Sequence, residues 1–260
     1  MSELRLGKRP ATHDPRDLQY AHLRDETVKI RVPAHFGHYR AVQQWQMLGN
    51  GPDDSVAPGF GGAGDCVFAG GDHETMLWTA EGGNPATFTG KQAIADYSAV
   101  AGYVLNDPNT DQGTNVRDAL NYRRQTGLID ANGHRHQLGA YVALEPGNYD
   151  QLMEACYLFS AVGIGIEFPS SAMGQFDAGK PWTVVAGAQV EGGHYVPVMG
   201  RTSATYIEVV TWARVQKMSR AFYEKYCDEA WALLSPELLS GGKSPEGFSL
   251  AQLQADLANL

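Results

Sequence analysis

The chain has 260 residues, 43% of them hydrophobic and only 19% charged, enough for one large domain or two small ones around a real core. A net charge of −9, with no prominent cluster of Lys and Arg, argues against a nucleic-acid-binding surface. Three widely spaced cysteines without a CxxC pair exclude a disulfide framework and a thiolate zinc site, and no stretch approaches the roughly 18 apolar residues of a membrane span. A soluble protein of a reducing compartment, without a signal peptide, is expected.

Residues 1–45 carry Pro10, Pro15 and Pro33 among mixed charges and read as an extended arm laid over a core, its basic run from Arg5 to Arg9 solvated. Segment 50–65 is nearly all Gly, Pro, Asp and small residues, a long loop placed directly before Cys66. From Cys66 to about Ala80 the pattern is helical, and Gly70 and Gly71 inside it signal close packing, since each costs roughly 1 kcal/mol relative to Ala. A second helix is expected from about Lys91 to Leu105. A third runs from an N-cap at Asn115 to a stop at Gly127.

Short strands and turns follow. Ala140–Leu144 reads as a strand, Tyr149–Phe159 as a fourth helix, and the runs 161–168, 194–199, 206–212 and 230–234 as further strands. Ser249 and Gln252 form a capping-box pair opening a short helix with Leu250, Leu253, Leu257 and Leu260 on one side. The expected organisation is an arm (1–45), a main domain (46–235) with a helical half to about 135 and a β half after it, and a tail (236–260).

Cys66 follows Gly61-Gly62-Ala63-Gly64-Asp65 at a helix start. Free N–H groups and the helix dipole there favour a thiolate, the nucleophilic form of cysteine. The base that such a nucleophile needs is found downstream as His194, in Gly192-Gly193-His194-Tyr195-Val196-Pro197-Val198. Cys156 and Cys227 have no such setting and read as core. His73, about two turns along the helix from Cys66, is too distant to be its base and reads as structural or surface. His134 and His136 near Asp130 resemble half a zinc site without a third ligand, and Asp53-Asp54 and Asp107, Asn109, Asp111 match no EF-hand loop. No metal and no cofactor are expected.

Helices first with the cysteine on the leading one, then strands opening on Gly-Gly-His, is an order that resembles the papain-like cysteine peptidases. Gly192 to Gly200 is similar to that family's histidine strand, Asp111-Gln112-Gly113 through Arg117-Asp118-Ala119-Leu120 to Gly127 to the segment before the second half in bacterial members. Asp14-Pro15-Arg16-Asp17 resembles the N-terminal arm, and Leu152 to Ile166 the helix leading into the first barrel strand. The chain as a whole resembles uncharacterised phage and actinobacterial relatives.

The resemblance implies an α+β papain-like fold with the cysteine on the central helix of the first half and an antiparallel sheet in the second. It implies a peptide or amide substrate cleaved by a Cys66–His194 pair, with Trp212 shielding it, no nucleic-acid or membrane partner, and a cytoplasmic location. Two positions depart from the family. Its oxyanion glutamine, six residues before the cysteine, is Phe60 here, so that role passes to Asn50. Its Asn-Ser-Trp triplet aligns with Val210-Thr211-Trp212, leaving Thr211 as the candidate acceptor behind the histidine, although strand alternation turns it away from Val210. The usual aromatic after the cysteine is Val67. These departures suit an alternative: a catalytically inactive papain-fold structural or binding protein with assembly partners, such as a bacteriophage virion component.

Overall fold

In a computed structural model of the chain, residues 4–24 and 29–240 are described. The helix expected from Ser249 onward lies outside them.

Five helices dominate the first two thirds of the chain: α1 (Tyr20–Leu23), α2 (Cys66–Glu81), α3 (Gly90–Ala101), α4 (Val116–Gln125) and α5 (Tyr149–Phe159). Asn115 caps α4 by accepting from the Arg117 N–H, as expected, and Asn148 caps α5 through the Gln151 N–H. The helix expected to reach Leu105 ends at Ala101, because Gly102 adopts φ 72° and stops it. Strands β1 (Phe36–Gly37), β2 (Leu128–Ile129), β3 (Arg135–His136) and β4 (Ala140–Leu144) are short. The second half adds β5 (Val162–Pro169), α6 (Ser170–Asp177), β6 (Val190–Arg201), β7 (Tyr206–Thr211), β8 (Arg214–Ser219), α7 (Arg220–Tyr226), β9 (Cys227–Leu234) and α8 (Pro236–Ser240).

An antiparallel sheet runs β4-β9-β5-β6-β7-β8, with β1 also paired to β6. Alternation along its strands feeds two apolar cores. One packs β5, β6, β7 and β9 residues such as Ile164, Val196, Ile207 and Ala230 with α5, α6 and α7. The other packs Tyr195, Val210, Trp231 and Leu233 with α2, α3 and α4. The central helix α2 is buried on every side from Cys66 to Thr79, which is why its sequence shows no polar stripe.

Its two internal glycines have a physical role. A Cβ on Gly70 would lie 2.5 Å from the Tyr195 ring, and one on Gly71 3.1 Å from the Arg123 guanidinium. Tyr195 also fills the space over Gly163, where a Cβ would meet its hydroxyl at 1.7 Å. Its OH donates to Glu74 Oε1 at 2.8 Å, and Arg123 Nη1 donates to Glu74 Oε2 at 2.7 Å. Helix α2 therefore touches β6 at backbone-limited distance, through an aromatic ring and a buried ion pair.

Two predictions follow from this packing. Gly70→Ala gains about 1 kcal/mol of helix propensity but forces a clash worth about 1–3 kcal/mol, so thermal melting should show a net loss of stability. Asp72 on α2 is buried with neither carboxylate oxygen hydrogen-bonded, and burial, then Asp96, raise its pKa well above the usual carboxylate value, while Arg123 opposes. A raised folded-state pKa gives stability that is complete below the unfolded value and lost as pH rises. Asp72→Asn should thus raise Tm clearly at about pH 8 and progressively less toward about pH 4; a pH-independent difference would contradict the buried neutral acid.

Candidate active site

Cys66 opens α2 and His194 lies in the central strand β6; both are buried, at 1% and 0% exposure. The two elements pack through Tyr195, the residue after the histidine, whose ring lies against Gly70, four residues along α2 from Cys66. Phe168, Trp182 and Trp212 surround the imidazole, with Trp212 stacked on it at 4.3 Å between ring centres and 16° between planes. The β7–β8 hairpin delivers this contact, with Thr211 opposite Arg214 and both intervening residues at positive φ, Trp212 at 45° and Ala213 at 61°. A bulky residue in the left-handed region is costly and persists only where the surroundings fix it. Here the stack on His194 and the edge contact with Phe176 at 4.8 Å do so.

Behind the ring, His194 Nε2 and Thr211 Oγ1 are 2.8 Å apart. Alternation explains the partner: Val210 points to the α2 core and Thr211, one residue on, to the histidine. The hydroxyl of Thr211, not the side chain at position 210, therefore stands behind the ring. With Nε2 engaged, Nδ1 is buried without a hydrogen-bond partner and is the nitrogen open to a proton.

Asn50 is buried, at 2% exposure, beside the approach to Cys66, and its Nδ2 donates to the Ala63 carbonyl at 3.1 Å. The glycine-rich loop before the cysteine closes on itself. A Cβ on Gly62 would lie 2.7 Å from Gly51 Cα, and Asp53 N–H donates to Phe60 O at 3.0 Å. Asp111 accepts from the Gly64 N–H at 3.0 Å and from the Tyr97 hydroxyl at 2.7 Å, pinning the end of the loop. Asp65, the residue before Cys66, is fully buried, and burial raises its pKa well above the usual carboxylate value, disfavouring its charge.

The cleft between the cysteine loop and the histidine strand is filled by the chain's own N-terminal segment. Gly7 N–H and Lys8 N–H donate to Gly193 O at 3.1 and 3.0 Å, Thr114 N–H donates to Gly7 O at 2.8 Å, and Arg9 N–H donates to Thr114 O at 2.9 Å. The Gly7 N–H also bears on Cys66. Glycines make the fit possible. A Cβ on Gly113 would come 2.1 Å from Gly7 O, on Gly193 2.3 Å from Lys8 O, and on Gly64 2.9 Å from Leu6 O.

The basic run expected to be solvated is therefore partly buried, with Lys8 at 5% exposure. Its Nζ reaches Asp228 at 2.6 Å and Glu229 at 3.2 Å. Nothing in the sequence flagged Lys8; the acidic pair Asp228-Glu229 heading an apolar strand was the one available hint.

Covering the cleft reverses the expected charge state. Burial pushes the Cys66 thiol up to about 12, although the Tyr195 and Gly7 N–H groups oppose it, and burial takes His194 down to about 3. Both shifts favour the neutral forms, a thiol at Cys66 and an uncharged imidazole at His194, over a thiolate. Cys66 still sits at the helix terminus, but loss of water outweighs what favours its thiolate.

The remaining candidates are structural. His73 is buried and its Nε2 pairs with the Gln46 carbonyl at 2.9 Å. His136 sits between Glu237 (3.0 Å) and Asp130 (3.5 Å), tying the β2–β3 turn to α8. Cys156 is in the core, and Cys227 is partly exposed with its thiol on the Glu229 carbonyl at 3.3 Å. Among the described residues no cluster of three or more His, Cys, Asp or Glu has metal-binding geometry, and no helix is long and apolar enough to cross a membrane.

No protein-family model and no curated protein sequence matches the chain. Solved structures do. Xylellain, a cysteine protease from Xylella fastidiosa, superposes with a TM-score of 0.69 at 14% identity, covering 90% of this chain and 97% of that one. Procathepsin B S9 from Trypanosoma congolense gives 0.59 at 11% identity over 90% and 87%. The Carica candamarcensis cysteine protease CMS1MS2, solved in complex with E-64, gives 0.54 at 12% identity over 78% and 99%. At these identities the likeness is one of architecture, and it agrees with the element order and the α2–β6 junction: the chain has the papain-like fold, a helical N-terminal half joined to an antiparallel sheet.

Proposed function

We propose that the protein is a cysteine hydrolase of peptides or amides in which Cys66 is the nucleophile and His194 the base. The observation carrying this reading is the His194 environment, with Nε2 held by Thr211, one face covered by Trp212 and Nδ1 left without a partner, on the strand that packs against the cysteine helix. In the first step the Cys66 proton passes to His194 Nδ1 and sulfur adds to the substrate carbonyl. Collapse of the tetrahedral adduct expels the amine, which takes the proton from His194, and water then hydrolyses the thioester by the same relay.

The Cys66 N–H, at the free end of α2, faces the developing oxyanion. Asn50 is the second donor of this reading. With 52–61 set aside as a loop whose ends meet at Gly51 and Gly62, Asn50 stands six residues before Cys66 (50, 51, 62, 63, 64, 65, 66). That is the spacing of the glutamine that Phe60 fails to supply. Reaction requires residues 6–8 to leave the cleft, which rehydrates the thiol and imidazole and restores the conditions for an ion pair.

A second reading, a papain-fold binding or structural protein without chemistry, has the covered thiol and neutral histidine in its favour.

Three measurements separate them. Iodoacetamide should modify Cys66 slowly in the wild type and about tenfold faster or more in Lys8→Glu, which repels the arm from its acidic seat; equal rates would show that the arm does not control the site. With the arm so weakened, a fluorogenic peptide-amide library should be cleaved, and Cys66→Ala or His194→Ala should each cost about 10⁴-fold or more in kcat; absence of cleavage in every member would favour the inert scaffold. Thr211→Val should lower kcat by about 5–10-fold with little change in KM, the effect of losing one hydrogen bond that orients the base.

A further inference from the structure

We propose that the pocket filled by Lys8 is a substrate pocket for a basic side chain, so that the peptides cleaved carry lysine or arginine next to the residue facing Cys66. The proposal rests on Cys66 and His194 being the reacting pair.

Position comes first. Gly7 lies between Gly64, two residues before Cys66, whose carbonyl oxygen a Cβ on Gly7 would meet at 1.8 Å, and Gly193, adjacent to His194, whose carbonyl accepts from both the Gly7 and the Lys8 N–H. From there the Lys8 side chain crosses β5 over Gly165, which is paired with Tyr195 on β6 and Glu229 on β9. A Cβ on Gly165 would lie 2.0 Å from Lys8 Cε, so any other residue at 165 would close the passage. The passage ends at the Asp228 and Glu229 carboxylates, with the Lys8 side chain at 1% exposure.

The end of the pocket is built for a cation. Two carboxylates face one ammonium, and Asp228 Oδ1 is buried without a hydrogen-bond partner. Glu229 is held in place by the Trp231 indole, whose Nε1 donates to its Oε2 at 2.9 Å. Acceptor capacity therefore exceeds what an ammonium uses, and a guanidinium with five donors would use more of it. An apolar side chain would leave the buried Glu229 carboxylate with only the Trp231 indole as partner and Asp228 without its cation, and an acidic one would add repulsion. Such an arrangement discriminates by charge, whereas a greasy pocket separates side chains only weakly by size.

The test uses the full-length Lys8→Glu, Cys66→Ser protein, in which the arm is weakened and nothing reacts. Capped tetrapeptide amides of Gly and Ala, with one lysine, arginine, norleucine or glutamate placed at each position in turn, are titrated by calorimetry. At one position lysine and arginine should bind about 10–100-fold more tightly than norleucine, as charge-assisted hydrogen bonds imply, with glutamate weakest. Asp228→Asn should largely erase the difference. Norleucine binding as well as lysine, or no peptide binding at all, would overturn the proposal; if Lys8→Glu does not fold, Lys8→Met provides the same measurement. Cleavage by the Cys66-containing protein is followed in parallel. A basic preference in binding without cleavage defeats the hydrolase reading and leaves the pocket, while cleavage without a basic preference does the reverse.

Discussion

The contact between Tyr195 and α2 is the constraint on which the rest of the molecule depends. The tyrosine lies against the bare backbone of Gly70, its hydroxyl enters the space over Gly163, and it donates to a glutamate already paired with Arg123. Glu74, Arg123 and Tyr195 come from two helices and the central strand, so none of them is satisfied unless the helical half and the sheet meet in one register. Burial pushes Glu74 up and Arg123 and the tyrosine oppose it, so the pair holds together only as a network. Replacing such a group by an apolar residue can cost little, but leaving one partner alone in the interior costs about 3–5 kcal/mol. The network thus contributes specificity of docking more than net stability. Because Tyr195 follows His194 in sequence and packs on the helix that Cys66 opens, the same docking that satisfies Glu74 fixes the strand carrying the histidine against the helix carrying the cysteine.

A second consequence concerns the cleft. Close approach of strand and helix leaves walls of backbone, and Gly64, Gly113, Gly165 and Gly193 keep them free of side chains. Such walls recognise an extended chain through its amides, which is how residues 6–9 are held. Selectivity must then come from wherever a side chain can leave the backbone channel. Over Gly165 one can, and the residues waiting there are acidic.

Much of this was legible in the sequence. Strand β4 and helix α5 lie where alternation and helical spacing put them, Asn115 is the N-cap it resembled, and Gly70 and Gly71 mark close packing as their propensity cost implied. The short elements α6, β8 and α7 were not, since six to eight residues hold too few periods to separate helix from strand. At the site, Cys66 and His194 stood out by setting, and Thr211 was named as the acceptor behind the ring; strand alternation, which turns it away from Val210, is what aims it there. Lys8 was misread because a lysine in a polar run is nearly always solvated; the carboxylates that bury it lie 220 residues away, and no local pattern carries that information.

The Lys8 pair also bears on how the arm leaves. Tethered to the cleft it occupies, the arm acts as an intramolecular ligand at an effective concentration on the order of millimolar, so a weakly binding peptide cannot simply outcompete it. Withdrawal of Lys8 alone would strand Asp228 and Glu229, already short of donors, in a pocket that has lost its cation. Exchange with an incoming lysine or arginine avoids that state, because the carboxylates are re-paired as the arm departs. On the proposed hydrolase reading, the side chain that distinguishes a good substrate is then the one that can displace the arm, so that selectivity and unmasking of Cys66 would be the same electrostatic event.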